Sequence, residues 1–203
     1  MSQRLVRFGA LASLAAAAAG CTLGRPDVVP FPGPVPRSVL VLPSAGDLRL
    51  GLARAIAARG YRTPADAVGE RMVVDAGLAP PTGTAWDVER IGRELQVDAV
   101  LELEARDFTA SGEPLARARW DLVWRLRATR DGAVLWQFDH HGAWTRPRDS
   151  SDPLRPFDAE PEPVPLFERP EPVFRSAGEL TEWLHRLAMA HLPECPPAAA
   201  GGA

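Results

Sequence analysis

The stretch Ala118-Arg-Trp-Asp-Leu-Val-Trp-Arg-Leu-Arg-Ala128 alternates strictly. Ala118, Trp120, Leu122, Trp124, Leu126 and Ala128 fall on one side, and Arg117, Arg119, Asp121, Val123, Arg125 and Arg127 on the other. A period of two predicts a strand with one packed face and one wet face. Arg130-Asp131-Gly132 then turns the chain, because Asp-Gly readily adopts the positive φ of a tight hairpin. The returning strand, Ala133 to His140, carries Val134, Trp136 and Phe138 on one face. Upstream, Ala99, Leu101, Leu103 and Ala105 alternate with Val100, Glu102, Glu104 and Arg106, and Ser111-Gly-Glu-Pro114 makes a turn. Three consecutive strands thus form an antiparallel meander.

The half of the chain before the meander has a different rhythm. Ser38-Val-Leu-Val-Leu-Pro43 is a continuous apolar run, the pattern of a strand covered on both faces. Ser44 to Arg59 reads as a helix, with Leu48, Leu52 and Ile56 inward and Gly60 as its stop. Tyr61–Pro64 reads as a short strand. Asp66–Ala76 reads as a helix with Val68, Met72, Val73 and Ala76 inward, and a third helix, capped by Thr84, carries Val88, Ile91 and Leu95. A last helix opens with Ser176 and Glu179, a capping box, and continues through Leu180, Trp183, Leu184, Leu187 and Ala188. The expected fold is α/β of the α+β kind. It has a mixed β-sheet of about five strands that includes the meander, packed by three to four helices.

Composition bounds the class. The chain has 203 residues, 46% of them apolar and 24% charged, with a mean hydropathy of −0.12, which excludes wholesale disorder and a multi-span membrane protein. Its net charge of −3 leaves no basic stripe to neutralise phosphates, so nucleic acid is not an expected partner. All 23 basic residues are arginine, and lysine and asparagine are both missing, a bias that reads as genome composition.

The N-terminus reads as an address. Arg4 and Arg7 form a basic start, Phe8–Gly20 is apolar and small, and Cys21 follows Ala18-Ala19-Gly20. This ending resembles the lipobox of bacterial lipoproteins, in which the cysteine is lipidated and becomes the mature N-terminus. Ala18 stands where that motif usually has leucine, so cleavage by ordinary signal peptidase after Ala19 or Gly20 is the alternative. Thr22, which is not aspartate, points to the outer membrane, facing the periplasm. Residues 1–20 are then the signal peptide, and 21–37 a lipidated cysteine and tether with five prolines after Cys21. An extended proline-rich segment rises ~3.1 Å per residue. One domain spans 38–192, interrupted at 145–175 by an insert containing eight prolines, and 193–203 is expected to be a disordered tail. With Cys21 lipidated, Cys195 has no partner; without lipidation, a Cys21–Cys195 bridge is the rival.

Val39-Leu-Val-Leu-Pro43, Ala57-Ala-Arg-Gly-Tyr61, Gly77-Leu78, Val97-Asp-Ala-Val-Leu101 and Asp131-Gly-Ala-Val-Leu-Trp136 follow one another at recognisable spacing. The series resembles a family of small bacterial lipoproteins classed as a domain of unknown function, whose genes often lie beside curli-secretion-like genes. Its fold is similar to the TolB N-terminal domain, CsgG and LpoB. The resemblance implies a periplasmic accessory protein of cell-envelope assembly, partnering a secretion channel or a peptidoglycan synthase.

No nucleophile elbow, phosphate-cradling glycine loop or Cys-x-x-Cys pair is present, and no cofactor or metal is expected. Glu102 and Glu104 share a strand face and support the alternative of a cell-wall glycan hydrolase or glycan-binding protein. Ion pairing with Arg117, Arg119, Arg125 and Arg127 on the neighbouring strand accounts for them better. His140 and His141 point to opposite faces, while His185 and His191 are six residues apart, which is poor metal geometry. Trp120, Trp124 and Trp136 read as core. Two partner-binding candidates follow. One is the arginine row Arg117, Arg119, Arg125 and Arg127; the other is the insert with its apolar residues Leu166, Phe167, Val173 and Phe174.

Overall fold

The first strand forms at Val39–Val41 (β1), with every residue buried. It pairs in parallel with β2 (Ala99–Ser111), Val39 opposite Ala99. β3 (Arg117–Ala128) and β4 (Val134–Thr145) follow as the antiparallel meander, giving a sheet ordered β1-β2-β3-β4. The computed structural model describes residues 31–80, 84–146 and 172–196. The signal-like segment, Cys21, most of the insert and the last seven residues lie outside them. Four helices, α1 (Leu52–Ala57), α2 (Asp66–Asp75), α3 (Val88–Leu95) and α4 (Ala177–Ala190), complete an α+β fold.

Each sheet face has its own core. Leu101, Leu103, Leu122, Trp124 and Leu126 meet Leu52 and Ile56 of α1 and Leu180, Leu184 and Ala188 of α4. On the other side Leu40, Leu42 and Val100 meet Val73 of α2 and Val88 and Ile91 of α3. A strand without a polar face needs this double cover, and α1 and α2 both contact β1.

Local expectations shift where tertiary contacts intervene. The described sheet has four strands rather than about five, because Tyr61–Pro64 makes only one parallel bridge, Arg62 with Ser38. Proline at 64 has no N–H with which to extend the pairing. The helix expected over Ser44–Arg59 is divided into a 3₁₀ turn, Gly46–Arg49, and α1, with Gly51 between them at φ 86°. That left-handed glycine aims the first amides of α1 at Asp66, whose carboxylate accepts from Gly51 N (2.8 Å) and Ala53 N (3.2 Å). α3 is capped by Asp87, not Thr84: Asp87 Oδ1 accepts the Arg90 N–H at 2.9 Å. Val68 is 53% exposed instead of inward, because Gly69 and Val73 form the buried line of α2. The Ser176 cap holds, with its hydroxyl accepting the Glu179 N–H at 3.2 Å.

The residues just after α4 are tied down. Arg59 Nη2 donates to Leu192 O (2.6 Å), Tyr61 Oη donates to Pro193 O (2.5 Å) and Cys195 N donates to Arg59 O (2.9 Å). Pro193–Cys195 therefore belong to the fold, although they were expected in the disordered tail. The Cys195 thiol lies 3.8 Å from the Pro36 carbonyl, so the chain's C-terminal segment meets the tether where it enters the domain.

His185 joins three elements. Trp124 Nε1–H of β3 donates to its Nδ1 at 3.3 Å, so its Nε2 carries the proton and donates to Leu48 O at 2.7 Å. Burial lowers the His185 pKa from 6.5 to about 4 against the opposing pull of the Leu48 carbonyl, Asp66 and Glu182. The fold thus favours the neutral ring. Its contribution is complete above the unfolded pKa and is lost as pH falls from 6.5 toward 4. At ~1.4 kcal/mol per unit this amounts to about 3.5 kcal/mol. We expect the urea-unfolding advantage of the native protein over His185→Gln to shrink between neutral pH and the pH of that lowered pKa. An advantage independent of pH would refute the assignment.

Candidate functional site on the open sheet face

α2 and α3 cover the second face only along β1 and the start of β2. Beyond Val100 that face carries Glu102, Glu104 and Arg106 from β2, the odd-numbered row of β3, and Gln137, Asp139 and His141 from β4. Register places Glu102 opposite Arg125 and Arg125 opposite Gln137, with Glu104 opposite Val123 and Val123 opposite Asp139.

The charges at the centre are committed to one another. Arg127 Nη1 meets Glu102 Oε1 at 3.1 Å, and Arg125 Nη1 meets Glu104 Oε2 at 2.5 Å. Arg125 Nε also donates to Gln137 Oε1 (3.0 Å), whose amide donates to Asp139 Oδ2 (2.7 Å). A register shift between Ala105 and Asp107 accommodates Arg106 as an extra residue. Its guanidinium lies 3.2 Å from Glu104, 3.6 Å from Asp139 and 3.9 Å from Asp121. Val123, flanked by these groups, is fully buried although it faces the open side. Long charged side chains can cover such a residue with their aliphatic stems.

Of the four candidate arginines, then, only Arg125 and Arg127 bond Glu102 and Glu104. Arg119 is paired with Asp107 at 3.2 Å, and its side chain is 75% exposed. Arg117, also exposed, has no ion-pair partner among the described residues. The expectation that all four oppose the two glutamates is corrected by distance along the strand: Arg117 and Arg119 lie opposite Ser111 and Thr109. For carboxylate chemistry the arrangement is unfavourable. The Arg125 hydrogen bond holds Glu104 below the usual carboxylate range against a smaller effect of burial, whereas a glycosidase's general acid needs the opposite shift.

The insert candidates divide. Leu166 and Phe167 lie outside the described residues. Phe174 is not a free anchor: it is buried, with its ring 5.3 Å from Trp144 and 5.6 Å from Trp183. Val173 is 60% exposed beside it. The segment's return is fixed at the end of β4, where Trp144 Nε1 donates to Pro172 O (3.0 Å) and Arg146 Nη2 donates to Phe174 O (3.2 Å).

The aromatic and histidine side chains are occupied in packing. Trp120, Trp124 and Trp136 are buried, as the alternation predicts. Trp120 Nε1 donates to His140 Nδ1 at 2.8 Å, with the two ring planes 10° apart. Phe138 stacks against both His140 and His191. Burial, followed by the charges of His141 and His191, lowers the His140 pKa. Sequence reasoning did not pick out Arg106, Gln137 or Asp139 as members of the network. The Arg106 bulge has no local sequence signal.

The pairs at the network centre should be weak individually, because half-exposed ions remain partly solvated. A double-mutant cycle of Glu104→Gln with Arg125→Ala should give a coupling of ~0.2–1 kcal/mol. The coupling should fall in about 1 M salt, where the screening length is ~3 Å. A coupling several-fold larger and insensitive to salt would overturn this picture.

No family model matches the chain, and no curated protein matches it. Among solved structures it is similar to lipoprotein GNA1162 from Neisseria meningitidis, at 23% identity over 57% of this chain and 88% of that one, with a TM-score of 0.46. It is also similar to the PelC dodecamer from Paraburkholderia phytofirmans, at 13% identity over 82% and 96% of the two chains, TM-score 0.43. A minor lipoprotein from Acinetobacter baumannii aligns at 12% identity over 79% and 95%, TM-score 0.29.

Proposed function

We propose that this chain is a lipid-anchored accessory protein of the bacterial cell envelope, held at Cys21 in the outer membrane and facing the periplasm. The reading is non-catalytic: the domain presents a surface to a protein partner. The observation that carries it is the polarity of the sheet. The tether enters at Arg37 and Ser38, beside Asp98 and the β3–β4 hairpin, whereas Arg117 and Arg119 lie at the other end of β3. Twelve residues of strand at ~3.3 Å each separate these ends by roughly 36 Å.

The far end gathers several features that suit docking. Arg117 and the highly exposed Arg119 sit there, as do Val173 and both fixed ends of the insert. Leu115 N donates to Arg175 O (2.8 Å) and Arg146 N donates to Ala116 O (2.8 Å), so the β2–β3 turn and the insert's base form one structural unit. Arg117, and Arg119 with its exposed guanidinium shared with Asp107, fit an acidic partner surface. A secretion channel or a peptidoglycan synthase is the partner class that the family resemblance implies.

Anchoring and docking have separate tests. Cys21→Ala should end incorporation of labelled palmitate; continued labelling would refute the anchor. The double variant Arg117→Glu/Arg119→Glu should stay folded and anchored yet lose in-cell cross-linking to its envelope partner by at least roughly tenfold, the scale of 1.4 kcal/mol. Unchanged cross-linking would exclude this end as the docking site. Muropeptide release by the purified protein, abolished by Glu102→Gln/Glu104→Gln, would replace the reading with the hydrolase.

A further inference from the structure

A cleft of about 570 Å³ opens at the tether end of the fold, outside the open sheet face. One wall is the tether itself, Pro34–Arg37; the others are α3, the residues leading into β2, and the β3–β4 hairpin. Its volume lies in the range of small-molecule sites, which combine apolar walls with a few polar groups. Val35, Val97, Ala128 and Leu135 are among its apolar lining residues, and Arg37, Arg93 and Arg130 are its arginines.

Three features make this a formed cleft rather than a gap between loosely placed segments. First, α3 approaches the end of β3 so closely that a Cβ at Gly92 would fall 2.3 Å from Thr129 Cβ. Thr129 Oγ1 in turn donates to Val97 O at 2.5 Å, which fixes the rear of the cleft. Second, the β3–β4 ladder steps from Leu126↔Trp136 to Arg127↔Val134, leaving Leu135 as an extra residue among the cleft-lining side chains. Bulges of this kind re-aim a side chain and are enriched beside functional sites. Third, the tether wall is held in place. Asp98 Oδ2 accepts from Arg37 N, Ser38 N and Ser38 Oγ, each at 2.9 Å.

The charges indicate what the cleft takes. Two carboxylates, Glu89 and Asp98, share the lining with three guanidiniums. One Asp98 oxygen is committed to the tether, and Arg130 is paired with Asp131 at 3.0 Å. Arg37 and Arg93 have no ion-pair partner among the described residues. Guanidinium forks match phosphate oxygens geometrically, and an apolar wall beside them accepts a hydrocarbon or ring. We propose that this cleft binds an amphiphilic phosphate, its head on Arg37 and Arg93 and its apolar body against Val97 and Leu135. Both a soluble phosphate ester and a phospholipid headgroup have this chemistry. Only the lipid source rests on the anchoring proposed above, because an anchored domain carries this end toward the membrane.

The probe is 1-naphthyl phosphate, titrated into the full chain and followed by ligand fluorescence. It should bind saturably, with 1-naphthol and inorganic phosphate each at least tenfold weaker. Arg93→Glu should weaken it at least tenfold, Glu89→Gln should tighten it, and Arg71→Ala on the outer face of α2 should leave it unchanged. Equal binding of 1-naphthol, or indifference to Arg93→Glu with the fold intact by circular dichroism, would overturn the proposal. Soluble short-chain lipids separate the sources. Displacement by dihexanoyl phosphatidylglycerol but not dihexanoyl phosphatidylcholine assigns the headgroup; displacement by neither, with the probe still bound, assigns a soluble phosphate ester. The same titration on Cys21→Ala keeps the outcome independent of anchoring.

Discussion

One carboxylate sets the frame of this fold. Asp98 accepts from the backbone of Arg37 and Ser38 and from the Ser38 hydroxyl, while its own N–H donates back to Ser38 Oγ at 3.0 Å. Burial would raise its pKa, but these bonds together hold it below the ordinary range, so it stays an ionised acceptor. The bond spans sixty residues and immediately precedes the register Val39↔Ala99. A parallel pair requires a long crossover between its strands, and here α1, α2 and α3 all belong to it. Because β1 is apolar on both faces, the crossover must wrap both sides of the sheet. α1 packs into one core, and α2 and α3 into the other.

That wrapping determines where the sheet is left open. The crossover helices reach only β1 and the start of β2 on the second face, so β3 and β4 expose charged residues there. Exposed ion pairs contribute little stability individually, ~0–1 kcal/mol. The network around Arg106 is better understood as a specification of register. Glu102 stands opposite Arg125, and a one-residue slip would turn every buried indole of β3 to the open side. On the covered face the same constraint acts through hydrogen bonds. The indole N–H groups of Trp120, Trp124, Trp136 and Trp144 all have acceptors, and no buried side-chain polar atom is left without a partner among the described residues.

What was legible in the sequence is what local periodicity encodes. The alternation of Ala118–Ala128, the Asp131-Gly132 turn and the Ser176 cap each depend on neighbours within a few positions, and each forms as read. The departures occur where a distant partner decides. Thr84 offers a plausible cap, yet the chain enters α3 at Asp87. Val68 has the right spacing for the core, but the close approach of α2 to Leu40 requires the glycine next to it. Phe174, among prolines and acids, looks like a linker residue until Trp144 and Trp183 close around it. At the open face the alternation correctly put four arginines on one side. It could not separate Arg125 and Arg127 from Arg117 and Arg119, because that distinction depends on how far Glu102 and Glu104 lie from the end of the meander.

Under the proposed anchoring at Cys21, the two ends of the sheet also set how far the domain can work from that residue. Sixteen residues lie between Cys21 and Ser38, a span of at most ~50 Å when fully extended in polyproline form. Phe31 and Val35 pack against the core and Pro34–Arg37 form a wall of the tether-end cleft, so only Thr22–Pro30 can contribute reach, at most ~28 Å. Arg117 and Arg119, carried roughly 36 Å farther along β3, move with the tether root because the β1–β2–β3 ladder joins them.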